Sequence, residues 1–244
     1  MKSLLKWELK ETFSAKSCWG IGAALMLCSL LLGLAPLSET GNTGLDVFLQ
    51  ICNNFNALLI FFVGIHAGIR VTKDFEERRI QATVMAGCSR GAIVSVKLLS
   101  FSLTIALYCL CTLAVGGIIS FSVKGMGETG STFFREVILR AALYTLAEVA
   151  FASHCFLVAV VVKTLGASIA ANLVMALGLN TLAQELVSHP WAEGLIRFTP
   201  AGQTFLLLVD AGPQNLWCAF AASLLWIVLA GGIAYGSFRK QELK

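Results

Sequence analysis

Charge is what this sequence has least of. Asp, Glu, Lys and Arg make up 13% of its 244 residues, about half of the ~25% usual in soluble domains. Proline is nearly as scarce: of four prolines only Pro36 lies outside residues 188–216, so most of the chain is free of helix breakers. Two chemical motifs are missing. Without a G-x-x-x-x-G-K-[ST] phosphate loop the chain has no such cradle for ATP. Without H-E-x-x-H it has no zincin-type helix for metal hydrolysis. The Lys and Arg residues sit in short clusters between apolar runs rather than on a basic face, and no nucleic-acid-binding module is visible. No short-period repeat or low-complexity segment stands out.

What is present is apolar. Hydrophobic residues are 57% of the chain and mean hydropathy is +0.79. A helix needs about 20 mostly apolar residues to cross a bilayer, and six segments meet that length: about 18–37, 47–71, 98–123, 137–162, 165–187 and 217–235. The expected fold is all-α, a polytopic integral membrane protein with one transmembrane domain over residues 1–244. Lys2, Lys6, Lys10 and Lys16 precede a first apolar run too long for a signal h-region, so it reads as a retained span. Residues 1–16 interleave Leu4, Leu5, Trp7 and Leu9 with lysines and Glu8 and Glu11. They read either as a surface-lying amphipathic helix or as a simple basic lead-in.

With the N-terminus inside, 14 Lys and Arg fall on cytoplasmic segments and four (Lys124, Arg135, Arg140, Arg197) on the outer side. The positive-inside rule therefore places both termini in the cytoplasm. Six of the eight cysteines lie within apolar runs, where a free thiol behaves as a small hydrophobe. Neither a disulfide nor a metal site is expected.

The most informative stretch is the cytoplasmic loop Thr72–Lys97. Asp74 and Glu77 have the spacing of an N-terminal capping pair. Phe75, Ile80, Val84 and Met85 recur at roughly helical spacing. Gly87 suits a helix stop, and Ser89 can cap a second helix entering the third span. The loop therefore reads as a short amphipathic helix, a tight break, and a re-entering helix. From the physics alone, docking on lipid headgroups and docking on a protein are equally good explanations.

Asp74-Phe75-Glu76, Ile80, Gly87-Cys88-Ser89-Arg90, Ile93 and Lys97 resemble the first cytoplasmic loop of ABC-2 type transporter permeases. The branch serving bacitracin and lantibiotic export or immunity is the most similar. Two departures stand out: Arg78-Arg79 occupy the family's usual Gly-Thr positions, and Ala86 precedes the glycine where polar residues are common. The six-span layout fits too. The resemblance implies a bacterial cell-membrane exporter permease, itself not an enzyme and holding no cofactor. ATP and Mg would be bound by a separate ABC ATPase subunit, and a second permease copy or paralogue would complete the path. The loop would be a coupling helix seated in the ATPase. Phe75 and Ile80 would be packing anchors and Asp74, Glu76 and Arg90 polar contacts, with Gly87 and Ser89 shaping the turn. The implied substrate is an amphipathic peptide antibiotic.

Inside the membrane, Glu148 falls near the middle of the fourth span, where an ionisable group is expensive. It reads either as a neutral carboxyl hydrogen-bonded to another span or as a substrate or proton site. Asn53, Asn54 and Asn56 on the second span, with Asn180 and Gln184 on the fifth, read as interhelical glue or as the lining of a translocation path. His66 reads as a packed histidine. Residues 188–216, with His189-Pro190-Trp191 and Phe198-Thr199-Pro200, read as an extracellular interfacial or partly re-entrant segment. A proton-coupled secondary transporter using Glu148 and a non-transporting membrane scaffold are the alternative functions.

Overall fold

The computed structural model describes residues 2–38, 41–126, 132–187, 189, 191–210 and 212–240. Parts of the turn at 38–46, the loop at 124–135, the His-Pro-Trp segment and the basic tail lie outside the described residues. Among the described residues every regular element is helical. The helices are α1 (Lys2–Ser14), α2 (Lys16–Ser38), α3 (Gly44–Ala67), α4 (Lys73–Glu76), α5 (Arg79–Met85), α6 (Arg90–Lys124), α7 (Arg140–Val162), α8 (Leu165–Val187), α9 (Glu193–Ile196), α10 (Pro200–Val209) and α11 (Pro213–Lys240). Single π-helical stretches, Gly68–Thr72 and Phe134–Leu139, continue α3 into α4 and lead into α7.

Local chemistry explains the ends. Thr43 and Asp46 form a reciprocal capping box at the start of α3. Ser89 accepts from Ala92 N at the start of α6, and Thr199 accepts from Gly202 N with Pro200 next to it at the start of α10. Gly87, at φ +88°, turns the chain sharply after α5.

Among the described residues, five helical stretches are long and apolar enough to cross a membrane: Gly44–Glu76, Arg90–Lys124, Arg135–Val162, Leu165–Val187 and Pro213–Lys240. A sixth results if the pair Ser3–Ser14 and Lys16–Leu32, bent by 59°, forms one broken span. The expected spans thus coincide with helices, but several helices outrun them. The second continues to Glu76 and the third starts at Arg90, because once a helix is nucleated each added residue gains a hydrogen bond even beyond the apolar segment.

Helix α7 lies at the centre, packed against α3, α6, α8, α10 and α11. Both α7 and α11 bury alanines: Ala147, Ala150, Ala152 and Ala159 on one, Ala219, Ala222, Ala230 and Ala234 on the other. Small side chains let helix backbones approach closely, which is how helices associate where lipid removes the hydrophobic drive. The 10-residue α10 is too short to span. It packs against α7, α8, α11 and α3 with Gln203, Thr204, Phe205 and Leu207 buried.

Candidate functional site

The loop after α3 is fastened to the body of the protein on both sides. The buried Asp74 of α4 is ion-paired with Lys97 of α6. Lys97 Nζ also donates to both carboxyl oxygens of Glu8 on α1, at 3.1 and 3.3 Å. Arg70 Nη2 lies 3.6 Å from Glu8 and donates to Thr12 Oγ1 at 2.8 Å. Thr12 in turn is 3.2 Å from Ser100 Oγ of α6. Arg79 at the head of α5 pairs with Glu11 of α1, with Glu77 at 2.6 Å and more loosely with Asp74 at 4.0 Å. Burial alone would lower the Arg79 pKa, but Glu11, Glu77 and Asp74 outweigh it and hold the guanidinium above its ordinary value. Helix α1 is therefore not a helix with its apolar stripe inward: it turns Glu8 and Thr12 into the bundle and leaves Trp7 exposed. Its carboxylates supply the counter-charge that Lys97 and the arginines need.

Most of the expected coupling residues make contacts within the chain. Ile80 is 2% exposed and belongs to the core. Phe75 is half-buried and packs edge-on against Phe238 of α11, with ring centroids 6.0 Å apart. Arg90 Nη1 donates to the carbonyls of Phe238 (3.3 Å) and Arg239 (2.8 Å), tying the end of α11 to the start of α6. Glu76 is exposed, yet it accepts from Leu165 N at 2.8 Å and so serves the first turn of α8. Gly87 and Ser89 make the turn and cap their spacing suggests. The outward face of α5 is instead built from Arg78, Ala82, Met85 and Ala86, and Met85 is 87% exposed. Arg78 adopts φ +55°, ψ +19° between α4 and α5. That left-handed conformation favours glycine, the residue the resemblance expects there.

Gly87-Cys88-Ser89-Arg90-Gly91 also spells G-x-S-x-G. A nucleophile elbow needs a strand before the serine and a helix after it. Here a helix precedes Ser89, and its hydroxyl is occupied as a helix cap, so the string is a turn and not a hydrolase site.

Within the bundle, the six candidate path residues do not converge. Asn53, Asn54 and Gln184 are exposed on the outside of the chain. Asn56 is fully buried and donates to Thr204 of α10 at 3.0 Å, which is the interhelical role. Asn180 is buried on a stripe of α8 with Ser168 and Asn172, four and eight residues apart along one face. Asn172 was not singled out by sequence reasoning, although its spacing from Asn180 is the signal. It packs where Gly64 lets α3 approach α8: a Cβ there would stand 3.1 Å from Asn172 Cβ.

Glu148 is completely buried and forms no ion pair among the described residues. Its neighbours are the Tyr144 hydroxyl and the thiols of Cys109 and Cys155. The Tyr144 hydroxyl also reaches Cys52 O at 3.3 Å. His66 is fully buried between Phe101 and Tyr108, both with ring centroids 5.6 Å away. The cavity it shares with Glu8, Arg70 and Lys97 is about 10 Å³, too small for any substrate. All eight cysteines are free, and no group of three or more metal-ligating side chains occurs among the described residues. A larger apolar cavity, about 310 Å³, opens between α7, α8, α10 and α11, lined by Phe151, His154, Leu182, Ile196 and Trp226 among others.

Architecture and burial together define a polytopic, all-helical membrane protein. Compared with known proteins, the chain matches no family model and no curated sequence.

Proposed function

We propose that this chain is the membrane-spanning permease subunit of an ATP-binding cassette exporter in a bacterial cell membrane, with both termini cytoplasmic. It works with a separate ATPase subunit that binds ATP and Mg, and with a second permease copy or paralogue. One observation carries the reading. The α4–α5 unit is ion-paired to α1 and to α6 through Asp74, Lys97, Glu11 and Arg79, while its far face presents Met85, 87% exposed, beside the exposed Ala82 and Ala86. An exposed apolar side chain on a short surface helix suits a protein-docking anchor. Buried ion pairs would pass its displacement to the spans.

The seating differs from the one the resemblance implies: Met85 takes the anchor role of Phe75 and Ile80, which are committed to internal packing. The apolar cavity near Trp226 and His154 suits an amphipathic substrate such as a peptide antibiotic.

The test is affinity purification of the chain from its native membrane, followed by ATPase assay of whatever ATPase co-purifies, with and without candidate peptides. Met85→Glu should lower ATPase retention at least tenfold without lowering the melting temperature. Full retention in a folded Met85→Glu protein removes the docking assignment.

A second reading, proton-coupled transport, is favoured by the unpaired burial of Glu148. It predicts transport that survives ATP depletion and is lost in Glu148→Gln.

A further inference from the structure

At the end of the bundle opposite the Lys97 cluster, a cavity of about 360 Å³ lies between α3, the π-helical lead into α7, and the C-terminal end of α10. Its walls are Leu49, Leu208, Val209 and Gly212 on one side and Arg135, Glu136 and Arg140 on the other. Arg140 is 95% buried by virtue of its 5% exposure. A buried guanidinium carries five donors and requires acceptors for them. The ion pair it forms with Glu136 is loose, at 3.5 Å, and its Nε has no acceptor. Glu136 is already held by Arg135 through Nε at 3.1 Å and Nη2 at 2.8 Å. Asp210 acts on Arg140 electrostatically, but its Oδ1 accepts from Gly212 N at 2.7 Å. Two arginines thus face one lining carboxylate. The apolar wall continues outward to Val209, which is largely exposed.

We propose that this cavity binds the phosphodiester headgroup of a membrane lipid, the phosphate on Arg140 and Arg135 and the glycerol end of the acyl chains along Leu49, Leu208 and Val209. Arginine side chains match phosphate oxygens in a forked geometry. A free inorganic anion would use the arginines but not the apolar wall. The lipid uses both, which is why it is the occupant proposed. This inference is independent of the exporter reading: it concerns the opposite end of the bundle and holds for any membrane protein with this cavity.

The test is native mass spectrometry of the full chain in detergent, titrated with phosphatidylglycerol, with diacylglycerol of the same chains, and with inorganic phosphate. Wild type should retain phosphatidylglycerol at least tenfold better than diacylglycerol. Arg140→Gln should abolish that preference. If Arg140→Gln does not fold, Arg135→Gln, at a half-exposed position, should still lower it about threefold, and Leu208→Trp should lower retention by filling the cavity. Equal retention of both lipids by wild type overturns the proposal. So does undiminished preference in folded Arg140→Gln or, where only they fold, in Arg135→Gln and Leu208→Trp together. Phosphate competing with the lipid at equal concentration reassigns the site to the free anion and overturns it as well.

Discussion

Lys97→Met is the perturbation that most directly probes the cluster under the loop. In the native protein Lys97 stands between Glu8 and Asp74, and the side chains of the three are 13%, 7% and 7% exposed. Methionine keeps the length of the stem and removes the charge. Two poorly hydrated carboxylates are then left facing each other with only part of their counter-charge. Breaking one partner out of a buried pair costs about 3–5 kcal/mol. Arg70 and Arg79 still reach Glu8 and Asp74, at 3.6 and 4.0 Å, so the lower end applies. About 3 kcal/mol corresponds to a melting temperature lower by about 6–12 °C in a chain of this size. The assay is thermal unfolding in detergent followed by a thiol-reactive dye, which reads the buried free cysteines as they emerge. In a Glu8→Gln/Asp74→Asn background, the same Lys97→Met change should cost less than half as much, because the carboxylates it strands are gone. A Lys97→Met protein melting within 2 °C of wild type would falsify the assignment of a buried ionic fastening. Equal cost in both backgrounds would refute it too.

Three further outcomes follow from the packing. Gly202→Ala should prevent α10 from seating, because a Cβ there collides with Ile196 Cγ2 and the Ile196 carbonyl; the loss should be about 3 kcal/mol or more, read as a melting temperature lower by about 6 °C or more, and a neutral outcome would mean α10 is not packed as described. Arg78→Gly should raise the melting temperature by about 1–3 °C, since glycine relieves a left-handed backbone at roughly 1–2 kcal/mol, less its own chain entropy; a fall would show that the Arg78 side chain contributes more than its backbone costs. Glu148→Gln, which keeps the shape of a buried group with no ion partner, should leave the melting temperature within 2 °C; a large drop would reveal an ionic partner supplied by a second subunit.

Much of this protein was legible in its sequence, and the parts that were not share a cause. Apolar length marks the spans because a bilayer imposes its thickness on every crossing helix, and that requirement is local to each segment. Gly87 and Ser89 mark helix ends for the same local reason: one terminates and the other satisfies a backbone within a few residues. The helical spacing of Phe75, Ile80, Val84 and Met85 implies one short helix, where the structure has two, with Phe75 on α4 and the other three on α5. Ile80 went into the core and Met85 outward because, five residues apart on α5, they stand about 140° apart around one helix, and the Ile80 side is the one turned to the bundle. Likewise Glu8 reads in sequence as one charge among lysines, since its partner Lys97 lies 89 positions away. Asn56 and Asn54 look alike along the chain, yet one meets Thr204 across 148 positions and the other faces outward. What the residues determined alone was a set of membrane-length helices with defined ends and a kinked loop between two of them. Only tertiary structure decided which charges meet, which side chain the loop offers to a partner, and where an arginine is left short of acceptors, because those depend on packing between segments that periodicity along one helix does not encode.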